Sequence, residues 1–202
     1  MAGAIGGLIS SVVGSAVSSV VGNMMSSLIS NFGSSNIAGA FVNAFMGSLG
    51  TALKTIIDNA PLPQFLKDAA KDLIDNVIGS NQQATTPEAQ DAVDCEYGDT
   101  LTSAAESTAQ QAAEEAEGQE GVNWLVALAG SLAKTQGTFL KAALESQETM
   151  NGIAGKEGKE QEFLDAQAEY QANMQMFTMM ANMTATTLKS LGEGLTAIAR
   201  KQ

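Results

Sequence analysis

The chain has 202 residues, is 45% hydrophobic but only 5% aromatic, and carries a formal net charge of −12 with no histidine. Without histidine it lacks the commonest general base and metal ligand, and its ten basic residues form no basic stripe that would track phosphates, which excludes nucleic-acid binding of that kind. A single cysteine, Cys95, excludes an intrachain disulfide and the usual zinc cluster.

The first region spans residues 1–79. No side chain ionises before Lys54. From Leu8 to Asn31 a four-residue unit repeats as LISS, VVGS, AVSS, VVGN, MMSS and LISN. On a helix, residues four apart share a face. Gly6, Ser10, Gly14, Ser18, Gly22 and Ser26 therefore form a small row beside the apolar row Ile5, Ile9, Val13, Val17, Val21, Met25 and Ile29. Small rows let helix backbones approach closely, in lipid or in protein. Glycine in a helix interior costs about 1 kcal/mol relative to alanine, and valine somewhat less, so such a helix needs a partner. Membrane contact and protein-only packing both stay open for these rows. The start, MAGAIGGLISS, lacks the positive n-region of a secretory leader, so export is expected to use a route that reads no cleaved leader. Ile37, Phe41, Phe45, Leu49, Leu53 and Ile57 keep the four-residue step until Pro61 and Pro63 interrupt it. Phe65, Leu66, Ala69, Leu73 and Val77 then predict one side of a short helix ending near Gly79.

Residues 80–120 hold ten acids and no base: Glu88, Asp91, Asp94, Glu96, Asp99, Glu106, Glu114, Glu115, Glu117 and Glu120. Low hydrophobicity and one-sided charge predict an acidic linker, largely disordered, with transient helix near 101–117. Cys95 sits between Asp94 and Glu96, which disfavour a thiolate and mark it as an incidental thiol.

Residues 121–202 predict two helices, over about 122–149 and 160–201, folded into an antiparallel hairpin at the glycine-rich NGIAGKEGKE. On the second helix, Tyr170, Met174, Phe177, Ala181, Thr184, Leu188, Leu191, Leu195 and Ile198 alternate steps of four and three, a heptad seam suited to self-assembly. Met174, Met176, Met179, Met180 and Met183 place methionine on several faces of that helix. Subunit packing is the favoured reading, and an adaptable ligand surface the other. Lys189, Arg200 and Lys201 suit the negative end of a helix.

Strand-like alternation is missing, so the fold class is all-α: a C-terminal antiparallel hairpin or coiled coil plus Gly/Ser-rich N-terminal helices. No phosphate loop, nucleophile elbow, dinucleotide fingerprint or calcium loop occurs in the sequence. The chain is expected not to be an enzyme, with no catalytic residue, cofactor or metal.

The apolar Gly/Ser-rich start, the polar middle and the C-terminal EYQANMQMFTMMANMTATTLKSLGEGLTAIARKQ together resemble the extracellular filament and translocator components of bacterial type III secretion. The resemblance implies secretion in an unfolded state and a secretion chaperone that masks the apolar helices. It also implies polymerisation or membrane insertion outside the cell. The same mix of Ala/Gly-rich and Gln/Met-rich helices is similar to phage ejection proteins, which form conduits across an envelope. The expectation is therefore a homo-oligomeric structural protein, secreted or at the surface of a bacterium. Membrane and a secretion chaperone are its further partners, and nucleic acid is not. A virion ejection protein is one alternative. A small helical carrier with a Met-rich cavity is another.

Overall fold

The structure, a computed structural model, describes residues 28–80, 82–119 and 122–199, with side chains at all of these except 122, 183 and 186–199. The small row of Gly6, Ser10, Gly14, Ser18, Gly22 and Ser26 lies outside the described residues. Among the described residues the chain is all-α, without a strand. A helical turn at 28–32 leads into α1 (Ser34–Asn59), α2 (Gln64–Ser80), α3 (Pro87–Glu115), α4 (Val122–Ile153) and α5 (Glu160–Ala199).

α1 is the central helix. Its four-residue row Ile37, Phe41, Phe45, Leu49, Leu53 and Ile57 is buried throughout, and Ala38, Val42 and Met46 bury the neighbouring face. Each fully buried Phe, Leu or Ile contributes roughly 1.5–3 kcal/mol relative to exposure. Gly33, at φ 81°, separates α1 from the turn before it. Pro61 ends α1, because the residue before a proline is driven to extended backbone, as Ala60 is at ψ 150°.

α2 runs back along α1. Lys54 meets Asp75 and Lys71 meets Asp58, each at 2.7 Å. Its buried residues are Ile74 and Val77, with Leu66, Ala70 and Ile78 packed partly against the core. The face expected from the sequence is therefore rotated by about one residue: Ala69 is exposed and Phe65 is 57% exposed. Gly50 on α1 permits the close approach, since a Cβ there would lie 2.2 Å from Ile78 Cδ1.

The largest correction concerns residues 80–120, read above as a disordered acidic linker. Pro87–Glu115 is a helix of 29 residues built into the core. Ala89, Val93, Tyr97, Leu101, Ala105 and Ala109 repeat every fourth position and are buried. Every described acid of this stretch faces solvent. Mean composition hid an apolar row that is narrow and made half of alanine. The start is well specified: Thr86 caps the helix by accepting from Ala89 N at 3.2 Å, Pro87 occupies the first turn, and Glu88 sits at the positive end of the dipole.

α3 runs parallel to α1. The pairs Thr85–Asn36, Gln90–Ala40 and Thr102–Ser48 advance together along both helices. Rows with the same four-residue step thus face each other, and Tyr97 packs its ring 5.0 Å from Phe41. The α2–α3 connection lies across α1. Asn43 donates to Gln83 O at 3.0 Å and accepts from Gln83 N at 2.8 Å. Thr85 Oγ1 donates to Asn36 O at 2.9 Å. Gly39 makes room for it, because a Cβ there would stand 2.5 Å from Ala84 O.

α4 and α5 form the hairpin and make the most extensive helix pair of the fold. α4 reaches the centre through Phe139, edge-on to Phe45 at 5.7 Å. α5 touches both α1 and α2.

Gly39→Ala should destabilise the protein by about 2 kcal/mol in urea unfolding, since a backbone carbonyl blocks the new methyl and must move. Gly50→Ala should cost clearly less, because the end of the Ile78 side chain can rotate and helix propensity improves. Equal losses would show that the strap over Gly39 is not tightly seated.

Candidate functional site

The hairpin turns through 154–159, where Gly155 (φ 74°) and Gly158 (φ 76°) take up left-handed backbone that other residues rarely adopt. Near this turn, Ser146 on α4 is buried and lies 3.2 Å from Glu169 Oε2 on α5. Burial pushes the Glu169 carboxyl above the usual carboxylate range. The hydrogen bond from Ser146 offsets part of this, and the negative Asp165 one turn earlier adds to it.

The expected seam residues fall on one side of α5, but not on the side buried most deeply. The residues buried in the main core are Ala168, Ala172, Met176, Met179 and Met180. Tyr170, Met174, Phe177 and Ala181 are half-buried, and Thr184 is buried. At about 100° per residue, the seam is displaced by roughly one residue from the line Glu169, Asn173, Met176, Met180. Glu169 marks the side of α5 that faces α4, so the seam lies on the flank beyond α4. Leu188, Leu191, Leu195 and Ile198 belong to the helix, and their side chains lie outside the description. Met176 and Met179, which lie off the expected seam, and Met180, which lies near it, are core residues of the single chain. The core therefore claims the part of the methionine cluster assigned to subunit packing.

A face that the sequence reading did not single out is the outer side of α4. Val126 is 45% exposed, Leu140 36% and Leu144 51%. Together with Gly130, Ala133 and Gly137 they follow steps of four, three, four, three and four, without a charge among them. Gly130 and Gly137 are exposed, and a Cβ at either would meet nothing within 4 Å. Each glycine weakens the helix by about 1 kcal/mol relative to alanine, with no steric reason among the described residues. The regular spacing was the signal available in the sequence, overshadowed by the stronger heptad of α5.

Other features have simpler roles. A polar cleft of about 820 Å³ runs between α1 and α3, lined by Asn43, Ser48, Thr51, Gln90, Asp94, Thr102 and Glu106 among others, and by no methionine or lysine. Ser48 and Thr102 bridge it at 3.0 Å. Hydroxyls, amides and two carboxylates can hydrogen-bond there, but no activated nucleophile faces them. Among the described residues no group of three His, Cys, Asp or Glu side chains is placed to hold a metal. Cys95 is exposed on α3. α1 is long and apolar enough to cross a membrane, yet half of its most apolar window is buried inside the fold, as in a core helix. No family model, curated protein or solved structure matches this chain.

The raised pKa of Glu169 fixes a sign. The unfolded chain loses this proton first as pH rises, so the stability tied to the protonated carboxyl is full below the unfolded value. It is lost as pH climbs through the folded one. Glu169→Gln should therefore raise the thermal midpoint at pH 7–8 and leave it nearly unchanged at pH 4. A lower midpoint at pH 7–8 would mean that the charged carboxylate is favoured at this position.

Proposed function

We propose that this chain is a non-enzymatic structural protein that associates with further copies of itself through its helical hairpin. The observation that carries the reading is the uncharged apolar surface left on that hairpin: Val126, Leu140 and Leu144 on α4 are exposed, and Tyr170, Met174 and Phe177 on α5 are half-covered. Exposed apolar surface at regular helical spacing is what helix–helix association uses. The filament and translocator resemblance fits such a role. Under it the protein acts outside a bacterial cell, reaches that place with a secretion chaperone, and meets membrane through the rows of residues 6–26. The ejection-protein reading uses the same surfaces. The carrier reading draws no support from the methionines, since Met176, Met179 and Met180 are packed with at most 2% exposure.

The experiment is sedimentation velocity of the full chain over a range of concentrations, with flotation on phosphatidylcholine vesicles. Association that grows with concentration is expected, together with flotation that is lost when residues 1–27 are removed. A shorter truncation than this tests little, and removing the first 60 residues would delete α1 and the core with it. A monodisperse single chain at every concentration would overturn the association reading, and equal flotation with and without residues 1–27 would overturn the membrane one.

A further inference from the structure

We propose, on the self-association reading above, that the outer face of α4 pairs with the same face of a second copy of this chain, antiparallel and about a twofold axis near residues 140 and 141. The stripe Val126, Gly130, Ala133, Gly137, Leu140 and Leu144 has the alternating four–three spacing with which one helix meets another. Gly130 and Gly137 stand in the middle of a helix of 32 residues with open space beside them. Among the described residues nothing requires them to lack a side chain, whereas a second helix packed on this face does.

The charges select the partner and its direction. α4 carries four: Lys134 and Lys141, then Glu145 and Glu148, all exposed. This order opposes the helix dipole, which favours acids first and bases last. It also gives Lys141–Glu145, at 3.6 Å, the weaker orientation for a pair four residues apart. A second α4 running the other way makes sense of the order. Residues whose numbers sum to about 281 then face each other. Leu144 of one copy sits over Gly137 of the partner subunit, and Lys134 beside Glu148 of the partner subunit. All four charges lie on one flank of the stripe, so parallel pairing would turn the charged flanks away from each other, whereas antiparallel pairing joins them and gains two Lys134–Glu148 contacts against one between the two Lys141 side chains at the axis. Lys134 also meets Glu115 in its own chain, but its side chain stays 69% exposed and has further donors to offer. The contact is isologous, so it closes as a dimer and does not propagate. A filament would need a second surface, and among the described residues the flank of α5 bearing Tyr170 and Met174 offers one.

Sedimentation velocity of full-length variants tests this. Gly137→Gln should keep or raise the thermal midpoint, because a glycine leaves a helix interior, yet weaken the dimer by about tenfold by filling the notch. Lys134→Glu and Glu148→Lys should each weaken the dimer, and the double variant should restore it. With Cys95→Ser as background, Lys141→Cys should give a disulfide-linked dimer on mild oxidation. Association that ignores Gly137→Gln and both charge reversals, but responds to Met174→Asp, would sink the α4 pairing while sparing self-association. A wild-type chain that stays monomeric would sink both. Vesicle binding abolished by Leu144→Asp, with no dimer in solution, would assign this face to lipid and overturn the pairing.

Discussion

α1 carries apolar or small side chains on nearly every side from Ile37 to Gly50, and a helix of that kind has to be covered from several directions. Each other element answers part of this demand. α2 returns antiparallel and presses Ile74 and Ile78 against Gly50. α3 runs parallel and lays a row with a matching step along the Phe41 side. α5 supplies Met176, Met179 and Met180 to the shared core, and α4 adds Phe139. Parallel neighbours cannot be joined by a tight turn. α2 is thus both a cover and the return path, and the strap 82–86 has to cross α1 on its way into α3. Its exposed backbone groups need partners there, which Asn43 provides in both directions.

What was readable in the sequence followed periodicity and what was not followed composition. The row from Ile37 to Ile57, the break at Pro61 and Pro63, and the turn after Ile153 are all set by local chemistry, and the structure has them. α3 was lost because averages over 80–120 are dominated by acids, while the burial rests on one residue in four, half of them alanines. Alanine adds little hydropathy, yet it lets two helices come close, and Tyr97 and Leu101 then fill the remaining space. The seam of α5 was placed about one residue away from the deepest face for a related reason. Tyr170 and Phe177 offer far more side-chain area than Ala168 and Ala172, but the alanines are the ones buried against the core. The same preference for large side chains drew attention away from α4, whose outer stripe includes two glycines and an alanine.

The acids that suggested disorder instead give the molecule a polarity. Nine of them, from Glu88 to Glu117, are described and exposed on or just beyond α3. Lys134 reaches from α4 to Glu115 among them. Two copies meeting through this face would bring like charges together, which short-range apolar contact would have to overcome. The stripe on the outer face of α4, from Val126 to Leu144, carries no charge itself and is flanked by two lysines and two glutamates. Repulsion on one side and exposed apolar spacing on the other direct any association toward the hairpin.

Absence of charge has different meanings at different places in this chain. From Ser34 to Leu53 it belongs to a helix enclosed by its own fold, although length and composition alone would also admit that helix to a bilayer. On α4 it belongs to a face that the fold leaves open, where two glycines lower helix stability by about 2 kcal/mol together. Domains of this size are stable by only about 5–15 kcal/mol, so that loss is a sizeable fraction. The buried stretch is explained by the interior it builds. Among the described residues the open face has no such account, since Leu140 and Leu144 stay 36% and 51% exposed and both glycines have open space beside them. A surface that weakens the monomer in this way is understandable when a second helix closes over it, because the leucines then leave water and the missing side chains become the room in which the partner fits.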